Sequence, residues 1–163
     1  LDLGVDMVHL SDDWGGQNTL LFSPALWWER IHPCHKAVAD AVKARGGYVS
    51  LHSDGNIELV VDGILDIGYH VVHPWQESAG MSLERFKAEL SSRLTVMGGL
   101  DVQTTLGFGD RPRLVAEIAR VMRLAAGGGI LFCTTHFVQA HCSIEELTLA
   151  FDTAREESRR AGG

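Results

Sequence analysis

The sequence predicts a parallel α/β fold, with helices packed over a sheet. Three observations carry that expectation. Short apolar runs alternate with helical patterns along the chain. The runs lack the alternation of a half-exposed strand, so both of their faces are expected to be covered. Polar side chains gather where each run ends, whereas the turns leading into the runs are plain glycine turns.

The first run, Val5 to Leu10, reads as a strand ending in Ser11-Asp12-Asp13. Ser23 then caps a helix with Pro24 at its first position. That helix passes Trp27 and Trp28, is interrupted or restarted at Pro33, and stops at Gly46-Gly47 after Arg45. Tyr48 to Leu51 is the second strand, followed by His52-Ser53-Asp54-Gly55-Asn56 and a helix from about Ile57 to Ile67 that Gly68 stops. The third strand, Tyr69 to Val72, ends in His73-Pro74-Trp75-Gln76. Ser82 opens a helix with Leu83, Phe86 and Leu90 on one face. Leu94 to Met97 is the fourth strand and leads into Gly98-Gly99-Leu100-Asp101-Val102-Gln103. Arg113 to Ala126 is a helix with Leu114, Ile118, Val121 and Leu124 as its stripe. Ile130 to Cys133 is the fifth strand, followed by Thr134-Thr135-His136. Ser143 caps the last helix, Glu146 completes a capping box, and Leu147, Phe151 and Ala154 are expected to face inward.

The 163 residues fit one domain. A 45% hydrophobic and 21% charged composition is that of a globular protein rather than a disordered tail. The net charge of -7 repels phosphate backbones and argues against nucleic acid as a partner. No apolar run approaches the roughly 20 residues that span a bilayer. The start lacks a methionine and a secretory signal and reads as the middle of something larger. Three cysteines, Cys34, Cys133 and Cys142, with no C-x-x-C, suggest reduced thiols in a cytoplasm.

In parallel α/β folds the loops after the strands share one face, and ligands bind there. Asp12, Asp13 and Gln17, His52 and Asp54, His73 and Gln76, Asp101 and Gln103, and His136 and Gln139 should therefore converge on one pocket. Asp12, Asp13 and Gln17 suit a polar or cationic substrate group, or an aspartate there caps the following loop. His52 and Asp54 are two apart and point to the same side. With His136 they form a two-histidine, one-carboxylate site for zinc or another divalent metal, a hydrogen-bonded pocket lining without metal, or a metal-free acid-base site in which Asp54 orients His136 or His52. Asp101 either faces a ligand across Gly98-Gly99 or accepts backbone N–H groups. His73 lines the pocket or is a satisfied structural residue. Trp14 and Trp75 either stack on a flat ring or plug the mouth. Arg155, Arg159 and Arg160 read as a solvated helix face. No G-x-G-x-x-G follows the first strand, which argues against a dinucleotide-binding sheet. Five strands alone cannot close an eight-stranded barrel.

The segments SDDWGGQNTLLFSP, LHSDGNI, DIGYHVVHPWQ, MGGLDVQTTLGFG and GGGILFCTTHFVQ resemble the uroporphyrinogen decarboxylase superfamily. That group includes the heme-pathway decarboxylase of porphyrin biosynthesis and the cobamide-dependent methyltransferases. The resemblance runs in order over nearly the whole chain. It implies a partial TIM-type (β/α)8 barrel, with residues 1–163 forming one domain that corresponds to about the fourth to the eighth strand. The arginines and aspartate with which the decarboxylase holds and processes its substrate belong to the N-terminal half. His136 is similar to the family's histidine on the last strand, a register supported by Ile144-Glu145. In the methyltransferase branch zinc is held by a His-x-Cys pair and a later cysteine. His52 matches that histidine, while Asp54 and His136 stand where the two cysteines would be. The resemblance implies a decarboxylase or a corrinoid-dependent methyltransferase with a corrinoid protein as partner. A second expectation is an incomplete module whose open sheet edges pair with another copy or with a missing N-terminal half, most simply as a homodimer.

Overall fold

The computed structural model describes residues 4–161. Five strands form one fully parallel sheet in the order β1-β2-β3-β4-β5: Met7–Ser11 (β1), Tyr48–His52 (β2), Val71–His73 (β3), Thr95–Leu100 (β4) and Ile130–Thr134 (β5). The order follows the chain with no reversal. Parallel crossovers share one hand, so such an order stacks all the helices on one face. That is the winding of part of a β/α barrel, not of a doubly wound sheet.

The register separates the two faces. Val8, Leu10, Val49, Leu51, Val72, Val96 and Ile130 lie on the helix-covered side, and Val49, Leu51, Val72 and Val96 are fully buried. The opposite face carries Met7, His9, Tyr48, Ser50, His52, Val71, His73 and Leu131. At its lower end Met7, Tyr48 and Leu131 are 44%, 57% and 53% exposed. The helix-covered face is apolar, whereas the opposite face mixes apolar side chains with His9, Ser50, His52 and His73, so the expectation of two apolar, covered faces holds for the first alone.

The helices follow the sequence signals with informative departures. Ser23 accepts from the Leu26 N–H and starts α1 (Pro24–Leu26). A π-helical turn over Trp27–Ile31 then passes directly into α2 (His32–Lys43), so Pro33 restarts the helix without ending it. Pro33 lies in the first turn of α2, where its missing N–H costs little. The helix over Val61–Ile67 (α3) is preceded by a 3-10 turn, Glu58–Val60, and closed by Gly68 at φ 83°. Leu83–Glu89 (α4) is capped by Ser82, and Arg111–Ala125 (α5) by Asp110, two residues earlier than its expected start. In the last helix, Ile144–Ala161 (α6), Ser143 accepts from the Glu146 N–H, but the Glu146 carboxylate turns to the Gly109 N–H at 3.1 Å. The reciprocal half of the capping box is thus spent on a neighbouring loop.

The expectation that Phe151 faces inward is corrected: it is 63% exposed, while Ala150 and Thr153 take the buried positions. Phe151 instead rims an apolar groove beside β5 with Met122, Phe132 and Leu147, at the open end of the sheet. Trp14 and Trp75 are core residues, which removes the ring-stacking alternative. Trp14 is fully buried edge-on against Trp27 and His35, and Trp75 packs on Phe86 with its indole N–H donating to the Ser82 carbonyl. Arg160 pairs with Glu157 on α6, and Arg155 lies over Phe151 at the rim of the same groove. No helix among the described residues is long and apolar enough to cross a membrane.

Candidate active site

The site is assembled where the strands end. The β1 and β2 loops interlock first. Asp12 N–H donates to the His52 carbonyl, Trp14 N–H to Ser53 Oγ, and Asn56 N–H to the Gly16 carbonyl at 2.7 Å. The two backbones are in contact at Gly15 and Gly55: a Cβ on Gly15 would fall 2.5 Å from the Asp54 carbonyl oxygen. Only glycine permits that approach. It seats Asp13 against the β2 loop, where its Oδ1 accepts from the Asp54 N–H at 3.0 Å.

Asp13, His52 and Asp54 consequently form a compact donor set, with one ligand-type atom from each lying within 4.8 Å of the others. His52 Nε2 is 3.6 Å from Asp13 Oδ1 and 3.9 Å from Asp54 Oδ2. His136 approaches from the β5 loop, and its Nε2 lies 3.8 Å from Asp54 Oδ2. The Gln139 amide reaches His136 Nδ1 at 3.3 Å. Of the expected trio His52, Asp54 and His136, the structure therefore joins the first two with Asp13 and sets His136 beside them, against Asp54 and with its ring centroid 6.5 Å from that of His52.

The donors are the right kind for a metal. One imidazole and two carboxylates suit zinc or another divalent ion of intermediate hardness, and their spacing leaves room for a central ion at ordinary bond lengths. The two acidic side chains also supply the compensating charge.

Behind this set, His52 Nδ1 contacts His73 Nδ1 at 2.7 Å, and His73 Nε2 lies 3.2 Å from the Thr134 carbonyl. Burial pushes the His73 imidazole below its ordinary range, and burial together with His52 does the same to His9. His9 Nδ1 bonds Ser50 Oγ at 2.7 Å on the same inner face.

A cavity of about 440 Å³ opens beside Asp54 and His136, walled by Gln76, Gln103, Gln139 and Phe108. Gln76 braces two loops, accepting from the Gly55 N–H at 2.8 Å and donating to Gln103 Oε1 at 3.0 Å. Asp101 stands behind the wall. Its Oδ1 accepts from the Gln103 N–H at 2.6 Å, and its buried Oδ2 has no hydrogen-bond partner among the described residues. No lysine or arginine is among the residues that line this cavity.

Two candidates stand apart. Asp12 accepts from the Trp14 indole N–H and meets His35 Nε2 at 3.1 Å, while His35 Nδ1 meets the Tyr69 hydroxyl at 2.6 Å. That network ties β1 to α2 and holds Asp12 away from His52. Gln17 is exposed and is not among the residues lining the cavity. Conversely, His141 and Phe108 line the cavity with ring centroids 5.3 Å apart, and His9 shares the inner face with His52. His9 carried a legible signal, a polar residue inside an apolar strand. His141 and Phe108 sit in loops whose course only the tertiary structure defines.

The uroporphyrinogen decarboxylase (URO-D) family model matches residues 1–157. No curated protein matches the sequence. Among solved structures, a methyltransferase from Methanosarcina mazei superposes with a TM-score of 0.75 at 18% identity, over 95% of this chain and 43% of that one. At that identity the likeness concerns the fold, a partial TIM-type barrel of five parallel strands, and this chain spans less than half the methyltransferase's length. The family match covers nearly every residue, and the chain belongs to the uroporphyrinogen decarboxylase family.

Proposed function

We propose that this chain is the C-terminal portion of a barrel enzyme of the methyltransferase-like branch, acting at the strand C-terminal face with a corrinoid protein as partner. One observation supports the reading: Asp13, His52 and Asp54 converge from two strand ends into a compact donor set beside a cavity lined by amides and imidazoles. A small neutral or cationic methyl donor would meet Asp54 and the Gln76, Gln103 and Gln139 amides. Decarboxylation is the runner-up reading.

His52, Asp54 and Asp13 would hold zinc or another divalent ion, with His136 next to it. Such an ion supplies Lewis acidity toward a substrate heteroatom. His136, with Gln139 donating to its Nδ1, carries its proton on Nε2 toward Asp54 and serves as the proton donor or acceptor. The glutamines orient the substrate by hydrogen bonds without charge.

A second reading is favoured by the uncovered inner face at Met7, Tyr48 and Leu131. In it the chain is catalytically incomplete alone and joins another copy or an N-terminal half. Titrating the purified protein with zinc and with uroporphyrin or coproporphyrin separates the readings. Zinc binding without porphyrin binding is expected, porphyrin binding alone favours decarboxylation, and binding of neither defeats both enzymatic readings.

A further inference from the structure

We propose that His73 is a positioning residue: a hydrogen-bond chain ending on the Thr134 carbonyl fixes His52 in its Nδ1–H tautomer and turns its Nε2 lone pair onto Asp13 and Asp54. The inference deepens the site reading above and rests on it for its metal-binding consequence, though not for the tautomer itself.

The chain begins at an atom with no choice of role. A carbonyl oxygen only accepts, so His73 Nε2, 3.2 Å from Thr134 O, carries a proton. A neutral His73 ring, the form an ordinary imidazole takes at about pH 8, then presents a lone pair at Nδ1. His52 Nδ1 stands 2.7 Å away. Two lone pairs would repel at that distance, so His52 Nδ1 carries the hydrogen and donates. The ring geometry agrees. Centroids 4.9 Å apart with planes inclined by 27° describe two imidazoles meeting edge to edge, as an in-plane N–H···N bond requires.

The consequence falls on the other nitrogen. A neutral ring protonated at Nδ1 has its lone pair at Nε2, the atom 3.6 Å from Asp13 Oδ1 and 3.9 Å from Asp54 Oδ2. A lone pair facing two carboxylates is unfavourable unless something positive lies between them. The tautomer therefore prepares this corner of the barrel for a divalent cation, and three strands build it: Thr134 on β5, reaching past β4, His73 on β3 and His52 on β2. Outer partners of a ligating histidine set its tautomer and orientation in the same way at known metal sites.

The test is nitrogen NMR on the 15N-histidine-labelled chain, free of metal, at about pH 8, where an ordinary imidazole is neutral. His52 is expected in the Nδ1–H form in the parent protein. In His73→Asn the amide oxygen replaces the Nδ1 acceptor, and the Nδ1–H form is expected to persist. In His73→Phe no acceptor remains, and His52 is expected to move to the Nε2–H form favoured by free imidazoles. Zinc affinity by chelator competition should fall roughly 10–100-fold in His73→Phe and stay close to the parent in His73→Asn. A purely structural role would lower the melting temperature of both variants and leave the tautomer unchanged, which would overturn the proposal. So would an Nε2–H form of His52 in the parent. If His73→Phe does not fold, the parent and His73→Asn spectra decide. An Nδ1–H tautomer in a protein that binds no zinc would sink the metal reading and leave the role of His73 standing.

Discussion

Asp54 lies between two imidazoles, with Oδ2 3.9 Å from His52 Nε2 and 3.8 Å from His136 Nε2. One carboxylate thereby faces both the donor set and the proton-carrying ring. Asp54→Asn keeps the shape and removes the charge, so zinc affinity should fall by more than the 10–100-fold typical of losing an outer partner. His52→Ala should do the same, and competition with a chromogenic chelator measures both. If both variants bind zinc as the parent does, the metal is held elsewhere. A second prediction concerns protons. His9 and His73 are held below the ordinary imidazole range, chiefly by burial. Such rings bind protons less readily folded than unfolded, so the unfolded chain takes up more protons once the pH drops below about 6.5. Stability is complete above that value and is lost as the pH falls. Melting temperatures of the metal-free protein should decline from pH near 7 to pH near 5, and His9→Gln should flatten the slope. A flat profile in the parent would refute the assignment.

At the scale of elements, the crossing of the β1 and β2 loops decides what the site contains. Gly15→Ala would bring a methyl within 2.5 Å of the Asp54 carbonyl oxygen and against the backbone of Gly55 and Asn56, none of which can swing aside as a side chain can. Overpacking of this kind costs about 1–3 kcal/mol. A lower melting temperature is expected, together with weaker zinc binding because Asp54 must move. A variant as stable as the parent would show that the loops can part freely. This crossing also explains what the sequence could and could not disclose. Strand ends were legible because each apolar run stops at a polar residue, and His52, Asp54 and His73 fall there. Asp13 was legible as a pocket residue but not as a partner of His52, because the two are joined by a loop contact across 39 residues that no local pattern encodes. Asp12 looked equivalent to Asp13, yet its neighbour Trp14 and the distant His35 take its carboxylate. Phe151 followed the helical stripe and still points outward, because what lies beyond β5 is a property of the sheet's edge rather than of the helix.

The whole molecule has one buried face and one open face, and this asymmetry leads to the last prediction. A sheet with sequential order places its helices on one side, and in a closed barrel the remaining strands cover the other. Here the inner face ends in Met7, Tyr48 and Leu131, each about half exposed, and β1 and β5 are both edge strands. Large apolar side chains on an edge strand promote pairing with another chain. The isolated protein should therefore exceed its 17.8 kDa monomer mass in light scattering at micromolar concentration, with roughly twice that value for a dimer. Leu131→Lys places a charge on the exposed inner side of the β5 edge without entering the helix-covered core, so it should shift the mass toward the monomer and leave the melting transition of the fold in place. A parent chain that is already monomeric at that concentration would show that the open face is tolerated by itself, and pairing through the sheet edges would then be wrong.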